Sequence, residues 1–302
     1  MMPAVATHRD DRLATLVLRS RAIARGWMQG IHASPLVGHS VEFSSHRRYV
    51  RGDDPRHVNW KLFARHGKLF VKQYDAETDL RVHVVIDASG SMACREGGTM
   101  TKFEYAASIG LAIAIVAIDQ RDAVSFSIVG DDGVHDHLRP SSRGGHVEAI
   151  AASIESAWPI ENAKRDPTKR SDLGIGEAIG RAGELTRGYG VAFLLSDFVD
   201  DVERIADGLR SWRYRNHDTS MFHILDPWER HLPEPGRFRV TDLESANEVT
   251  TELESIRVAY LKRVNDWIGG VRKAALSQSI SHEMMTTDRD PTDALIAAVS
   301  KR

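Results

Sequence analysis

The sequence has almost no cysteine and no apolar run long enough to cross a bilayer. Cys94 is the only cysteine among 302 residues, which excludes an intrachain disulfide and a zinc site built from several thiolates. The longest apolar stretch, residues 109–118, is about half the length of a transmembrane helix. The amino terminus also lacks the basic-then-apolar order of a secretory signal. These absences predict a soluble, cytoplasmic protein without a membrane span.

Neither sign of charge is in excess. The chain has 40 Lys and Arg against 42 Asp and Glu, so no global field attracts nucleic acid or an anionic membrane. The segment 47–72 is locally basic and contains aromatic residues such as Tyr49 and Trp60, a pattern that can bind single-stranded nucleic acid. We favour a structural role, because Asp53 and Asp54 can pair with its arginines, and we expect no nucleic-acid partner. Docking of a partner protein on this segment stays open.

Several catalytic motifs are missing. No GxxxxGK[ST] loop is present for ATP phosphates, and no GxSxG elbow is present for a hydrolase. His135 and His137 have no third ligand nearby in the sequence, so a zinc site there is not expected. The sequence therefore favours a protein that binds rather than an enzyme.

From residue 80 onward, short apolar strands alternate with helices. This alternation is typical of βαβ crossovers and predicts an α/β fold with a doubly wound, mostly parallel sheet of the Rossmann type. The predicted strands are 82–86, 123–129, 191–195 and 220–225, and the predicted helices are 102–118, 146–157, 173–185 and 202–212.

The flanking segments differ in texture from this core and suggest three parts. Residues 1–79 form a helix near 10–29 and an irregular accessory segment, and residues 80–227 form the sheet domain. Residues 228–302 form a second accessory segment, with a short β element and two helices. We expect the two accessory segments to build a smaller α+β layer.

Three polar clusters lie at or near the ends of the predicted strands. The first follows strand 82–86, the second precedes helix 173–185, and the third follows strand 191–195. Their oxygen-bearing side chains are Asp87, Ser89 and Ser91, then Ser171 and Asp172, and last Ser196 and Asp197. Such oxygens suit Mg²⁺, with Mn²⁺ or Ca²⁺ as alternatives, better than zinc or copper. Because ligands of open α/β sheets bind at the carboxyl ends of strands, a divalent-cation site is predicted there.

The spacing of the first cluster suggests what the metal is for. Residues two apart in a loop can turn their side chains to one side, and Gly90 permits a tight turn between the two serines. Neutral hydroxyls and few carboxylates leave a coordination position for an Asp or Glu of another protein. An alternative is that Ser89 or Ser91 caps the next helix. Another is a metal-assisted phosphohydrolase using Asp87, but serines two and four residues later do not act as acid or base.

These motifs resemble a known type of domain. DASGSM after VHVVI, with SD at 171–172 and SDF at 196–198, resembles a von Willebrand factor A (VWA) domain carrying a metal-ion-dependent adhesion site. The upstream strings GHSVEF (38–43) and RYVRGDDPRHVNWK (48–61) resemble the signature of the DUF58 family. With the similar tail around Tyr260 and residues 286–288, the likeness covers about residues 13–302.

The resemblance implies a ligand set and partners. By position the metal ligands are Asp87, Ser89, Ser91, Ser171 and Asp197, with Ser171 in place of the usual Thr and Asp172 as a possible substitute. The family likeness implies work beside a MoxR-type AAA+ ATPase, in chaperone-like assembly or maturation of other proteins. A client protein would then offer an Asp or Glu to the metal.

Overall fold

The computed structural model describes residues 4–32, 46–48, 68–72, 81–158, 173–233, 237–241 and 248–300. The chain divides into two compact units, residues 31–79 and the remainder. In the smaller unit, strands β1 (His46–Arg48) and β2 (Phe70–Lys72) pair antiparallel. Most of the basic segment 47–72 lies outside the described residues, so its predicted role is untested.

The larger unit is built on a six-stranded sheet. The strand order is β10-β7-β6-β3-β4-β5, and every neighbouring pair is parallel except β4 with β5. This confirms the predicted α/β fold with a doubly wound, mostly parallel sheet. The strands are β3 (Arg81–Asp87), β4 (Ala123–Gly130), β5 (Gly133–Ser141), β6 (Gly190–Ser196), β7 (Asp218–Leu225) and β10 (Ser281–Thr286).

Helices cover both faces of the sheet. They are α1 (Ala4–His32), α2 (Lys102–Asp119), α3 (His146–Ser156), α4 (Gly174–Leu185), α5 (Val202–Tyr214), α6 (Pro227–His231), α7 (Leu253–Ser277) and α8 (Pro291–Val299). Within the described ranges, no helix is both long and apolar enough to cross a membrane.

Strand β3 shows why its sequence is apolar at successive positions. Val84 and Ile86 lie against Gly110 of α2, whereas Val85 joins the core cluster formed with α4, α5 and α7. Because successive side chains of a strand point to opposite faces, a strand covered by helices on both sides needs apolar residues throughout. The central strand is therefore packed against helices on both of its faces.

Two strands of this sheet were not predicted from the sequence. β5 is the antiparallel edge strand and β10 is the edge strand on the other side. Both are polar and only partly buried along most of their length, so neither has the apolar run of a central strand. β10 comes from the segment 228–302, so the sheet includes part of what the sequence analysis treated as accessory. In that segment β8 (Arg237–Thr241) and β9 (Glu248–Glu252) form a separate antiparallel pair.

Helices α4 and α5 approach each other closely through glycines. A Cβ atom at Gly208 would collide with the carbonyl oxygen of Gly176, and one at Gly180 would lie 3.0 Å from the Cα of Gly208. No rotamer can relieve a clash between a Cβ and a backbone oxygen. The helix that follows β6 is therefore packed backbone to backbone on its neighbour.

We expect Gly208→Ala to lower the free energy of unfolding by about 1–3 kcal/mol, because the two helices must separate. Gly269→Ala is the matched control, since Gly269 also lies inside a helix but has no atom within 4 Å of its would-be Cβ. That control should gain about 0.5–1 kcal/mol from helix propensity. Urea denaturation followed by circular dichroism measures both, and equal effects of the two substitutions would contradict the packing described.

Candidate metal-binding site

The ends of two adjacent parallel strands bring the first polar groups together. In the pairing of β3 with β6, Ile86 lies opposite Leu195, so Asp87 and Ser196 emerge at the same edge. The Ser196 hydroxyl donates a hydrogen bond to Asp87 Oδ2 (2.5 Å), and the Ser89 backbone N–H donates to Asp87 Oδ1 (2.7 Å). Both oxygens of the buried Asp87 carboxylate are thereby oriented.

The loop after β3 places both serines beside the second carboxylate. A single 3₁₀ turn over Gly90–Ala93 leaves Ser89 Oγ and Ser91 Oγ 3.1 Å apart. Ser91 in turn hydrogen-bonds the side chain of Asp197, which follows β6. The structure therefore brings together four of the predicted site residues.

The serines do not cap the next helix, which was the alternative role predicted for them. Ser89 precedes the 3₁₀ turn but makes no capping hydrogen bond through its side chain. Helix α2 is capped by Thr101, whose hydroxyl accepts from the Glu104 N–H, while Glu104 accepts from the Thr101 N–H. Ser89 and Ser91 remain available to the site.

Ser171 and Asp172 lie outside the described residues, which resume at 173. Helix α4 begins at Gly174, so these two residues directly precede its amino-terminal end in the sequence. Which of the two supplies an oxygen stays a prediction.

A lysine that the sequence analysis did not single out contacts the site. Lys102, the first residue of α2, is completely buried, and its Nζ lies 2.8 Å from Asp197 Oδ2 and 2.5 Å from Glu229 Oε1. The other Glu229 oxygen accepts the backbone N–H of Asp226 at 2.7 Å. One ammonium is thus shared by two carboxylates, one from the end of β6 and one from α6.

The two central carboxylates differ in protonation. Burial raises the pKa of Asp87 to about 7, and the nearby charge of Asp197 adds to this effect. Burial also opposes ionisation of Asp197, but the Lys102 ammonium outweighs it and lowers the Asp197 pKa below its usual value. For Lys102, burial is more than offset by Asp197 and Glu229, so its pKa is raised. In the metal-free protein Asp197 is ionised, and Asp87 holds a proton below about pH 7.

Asp226 fastens the loop that follows the first motif. Its carboxylate accepts the backbone N–H groups of Glu96, Gly97 and Gly98 at 2.8–3.1 Å. It also caps α6 by accepting from the Trp228 N–H at 2.9 Å. The loop between the serines and α2 is therefore tied to the helix that carries Glu229.

Signals for the missed residues are present but weak. Asp-Pro-Trp-Glu at 226–229 is a capping-box pattern, since an acid three residues after an N-cap is typical of one. Lys102 carries no such signal, because a lysine at the start of a helix is ordinarily a surface residue. Only the fold brings it to Asp197.

The residues present fit a hard divalent cation. When ionised, Asp87, Asp197 and Glu229 against Lys102 leave two negative charges, which a divalent cation would balance. Two serine hydroxyls add neutral oxygens of the kind that Mg²⁺ and Ca²⁺ accept. No group of three or more His, Cys, Asp or Glu side chains poised to hold a metal occurs among the described residues. The candidate site depends on its hydroxyls instead.

A groove of about 530 Å³ lies next to these residues. Glu229 belongs both to its wall and to the ion pairs with Lys102. The remaining lining residues are Val199, Asp200, Asp201, Leu225, Tyr260, Arg263, Val264 and Trp267. Trp267 Nε1 donates to the Asp200 carbonyl at 3.4 Å, which joins α7 to the loop after β6.

Comparison with known proteins gives both sequence relatives and structural neighbours. Uncharacterised proteins of Mycobacterium tuberculosis and Mycobacterium bovis are each 26% identical over 233 residues, covering 77% of this chain and 70% of theirs. The conserved hypothetical protein BatB from Bacteroides thetaiotaomicron is 16% identical with a TM-score of 0.43, covering 74% of this chain and 98% of its own. The Rpn10 VWA domain is 14% identical with a TM-score of 0.39, covering 72% and 93%. At such TM-scores these similarities add nothing to what the strand order establishes.

Fold and site together define a doubly wound α/β protein with carboxylates and hydroxyls at the carboxyl edge of its sheet. Residues 45–267 match the family described as protein of unknown function DUF58. Since the match spans most of the chain, the protein belongs to the DUF58 family.

We expect Asp87→Asn to gain stability relative to the wild type as the pH rises from about 4 to about 7 in metal-free buffer. The folded wild type binds a proton at Asp87 up to about pH 7, whereas the unfolded chain releases it near its ordinary value of about 3.9. Each unit of pH in this window therefore costs the wild type stability, and Asn does not titrate.

The comparison must be a difference between variant and wild type, measured by urea denaturation in EDTA. His83, His223 and other buried histidines have lowered pKa values because of burial, and they make both proteins more stable as the pH rises in the same range. A difference that stays constant across this window would show that Asp87 is already ionised.

Proposed function

We propose that this protein is a metal-dependent protein–protein interaction module, which acts as an adaptor for a MoxR-type AAA+ ATPase in the assembly or maturation of other proteins. The observation that carries the proposal is the convergence of Asp87, Ser89, Ser91 and Asp197 at the ends of β3 and β6. A cytoplasmic location belongs to the same proposal.

The site would hold Mg²⁺, with Mn²⁺ or Ca²⁺ as alternatives, through these four residues and either Ser171 or Asp172. When bound, the metal would supply positive charge for an Asp or Glu of a client protein. Asp87, Ser89 and Asp197 are almost fully buried, whereas Gly90 and Ser91 are partly exposed. A client carboxylate would therefore approach past Gly90 and Ser91.

The ATPase partner rests on family membership rather than on geometry. The resemblance to DUF58 proteins implies a MoxR-type AAA+ ATPase, and no nucleotide-binding GxxxxGK[ST] loop occurs in this chain. The energy for remodelling a client would then come from the partner. This chain would contribute recognition.

A metal-assisted phosphohydrolase is the second candidate. It is favoured by a second acid near Asp87, which is Asp197, and by a lysine in contact with Asp197, since phosphoryl transfer uses such groups. Against it, Lys102 is completely buried and already paired with two carboxylates, so it is not free to bind a phosphate. Binding remains the preferred function.

We expect millimolar MgCl₂ or MnCl₂ to raise the melting temperature of the wild type, because a ligand that binds only the folded state stabilises it. Asp87→Ala should fold yet lose this shift. Asp207→Ala, which removes an exposed carboxylate of α5, is the matched control and should keep it. Differential scanning fluorimetry in metal-free buffer and with each salt measures the effect.

Absence of any metal-dependent shift in the wild type would contradict the proposed metal site. Steady turnover of a phosphoester such as p-nitrophenyl phosphate, lost in Asp87→Ala, would support the phosphohydrolase instead. Neither result depends on knowing the client.

The host's AAA+ ATPase should co-purify with the tagged wild-type protein in MgCl₂, and recovery should fall severalfold in EDTA. Because AAA+ ATPases themselves need Mg²⁺, Asp87→Ala in MgCl₂ is the decisive sample, and it should lose the ATPase to the same extent. Equal recovery with Asp87→Ala would locate the contact away from the candidate metal site.

A further inference from the structure

Lys102 is an unusual residue in position and in surroundings. A lysine with no exposed surface is rare, because the ammonium loses its hydration and must be compensated by partners. Lys102 has that compensation from Asp197 and Glu229, at 2.8 and 2.5 Å. An apolar residue would occupy the same volume without this cost, so the charge itself calls for a functional explanation.

The ammonium is also held in place. Lys102 begins α2, directly after the Thr101 cap that fixes the start of this helix. Its partner Glu229 is fixed through its second oxygen by the Asp226 N–H, and Asp226 is anchored to the loop at 96–98. The cation therefore has little freedom to move away from Asp197.

Its position bears directly on the candidate metal site. Asp197 Oδ2 accepts from Lys102, and the same side chain is hydrogen-bonded by Ser91, one of the proposed ligands. A divalent cation beside Ser91 and Asp197 would thus lie within a few ångströms of a fixed positive charge. Like charges repel strongly at such distances when little water intervenes. Lys102 also neutralises part of the negative charge that would attract the metal.

We propose that Lys102 is a built-in cation that lowers the divalent-metal affinity of the site, and that Glu229 limits this effect by neutralising part of its charge. The inference rests on the proposed metal site and adds its regulation. A site weakened in this way holds metal firmly only when an outside carboxylate adds negative charge. Metal binding and client binding would then strengthen each other, as linkage requires.

The two partners of this ion pair give opposite predictions, which separates tuning from structural support. Removal of the cation in Lys102→Met should tighten metal binding at least tenfold, because the metal no longer competes with the ammonium for Asp197 and Glu229. Neutralising the carboxylate in Glu229→Gln should weaken metal binding severalfold, because Lys102 is then less compensated. If the pair only supported the structure of the site, neither substitution would tighten metal binding.

The experiment is a calorimetric titration of MnCl₂ into the metal-free protein of 302 residues at pH 8, above the pKa of Asp87. The samples are wild type, Lys102→Met, Lys102→Gln and Glu229→Gln. Lys273→Met is the matched control, since it removes an exposed lysine of α7 and should leave the affinity unchanged. Circular dichroism establishes that each variant is folded. Should neither Lys102 variant fold, Glu229→Gln remains a test, because unchanged or tighter binding by it overturns the inference.

The outcomes distinguish this inference from the proposed function. Weak binding by the wild type with tighter binding by Lys102→Met supports both. No binding by the wild type with binding by Lys102→Met supports the role of Lys102 and contradicts metal binding by the client-free protein. Equal or weaker binding by Lys102→Met, with binding by the wild type, overturns the inference alone. No binding by any sample overturns both.

Discussion

The parallel pairing of β3 with β6 is the constraint on which the site depends. It brings the end of the first sheet strand beside the end of a strand more than one hundred residues later, so that Ser196 reaches Asp87. After β3 the chain continues to α2, and after β6 it continues to α5. These two helices lie on opposite faces of the sheet. The opening between two such departures is where doubly wound proteins bind ligands.

Electrostatics at this opening follow from burial. Two carboxylates that share a dry site cannot both ionise without a cation nearby, and here a lysine supplies one charge. That single charge favours ionisation of Asp197 and leaves Asp87 with its proton up to about pH 7. Without metal, the site therefore retains unbalanced negative charge when Asp87 ionises. The metal affinity of a site with this charge balance would change when a single charge nearby is added or removed.

Central elements were predictable from the sequence because burial on both faces leaves an unbroken apolar run. β3, β4, β6 and β7 were predicted to within a few residues, as were the helices between them. The edge strands β5 and β10 were not, since a strand with one partner and partial exposure carries polar residues that read like a loop. Pairing with a neighbouring strand, rather than their own composition, makes β5 and β10 strands.

The same division holds for the site. The sequence of the protein determined the fold class, the DUF58 resemblance and the position of Asp87, Ser89, Ser91 and Asp197 at strand ends. Each of these features is a local pattern along the chain. Only the tertiary structure decided that Lys102 and Glu229 join them, since three separate elements must meet before one ammonium can contact both carboxylates. Local sequence specifies which oxygens are offered. The packing of α2 and α6 against the sheet edge decides which charge opposes them.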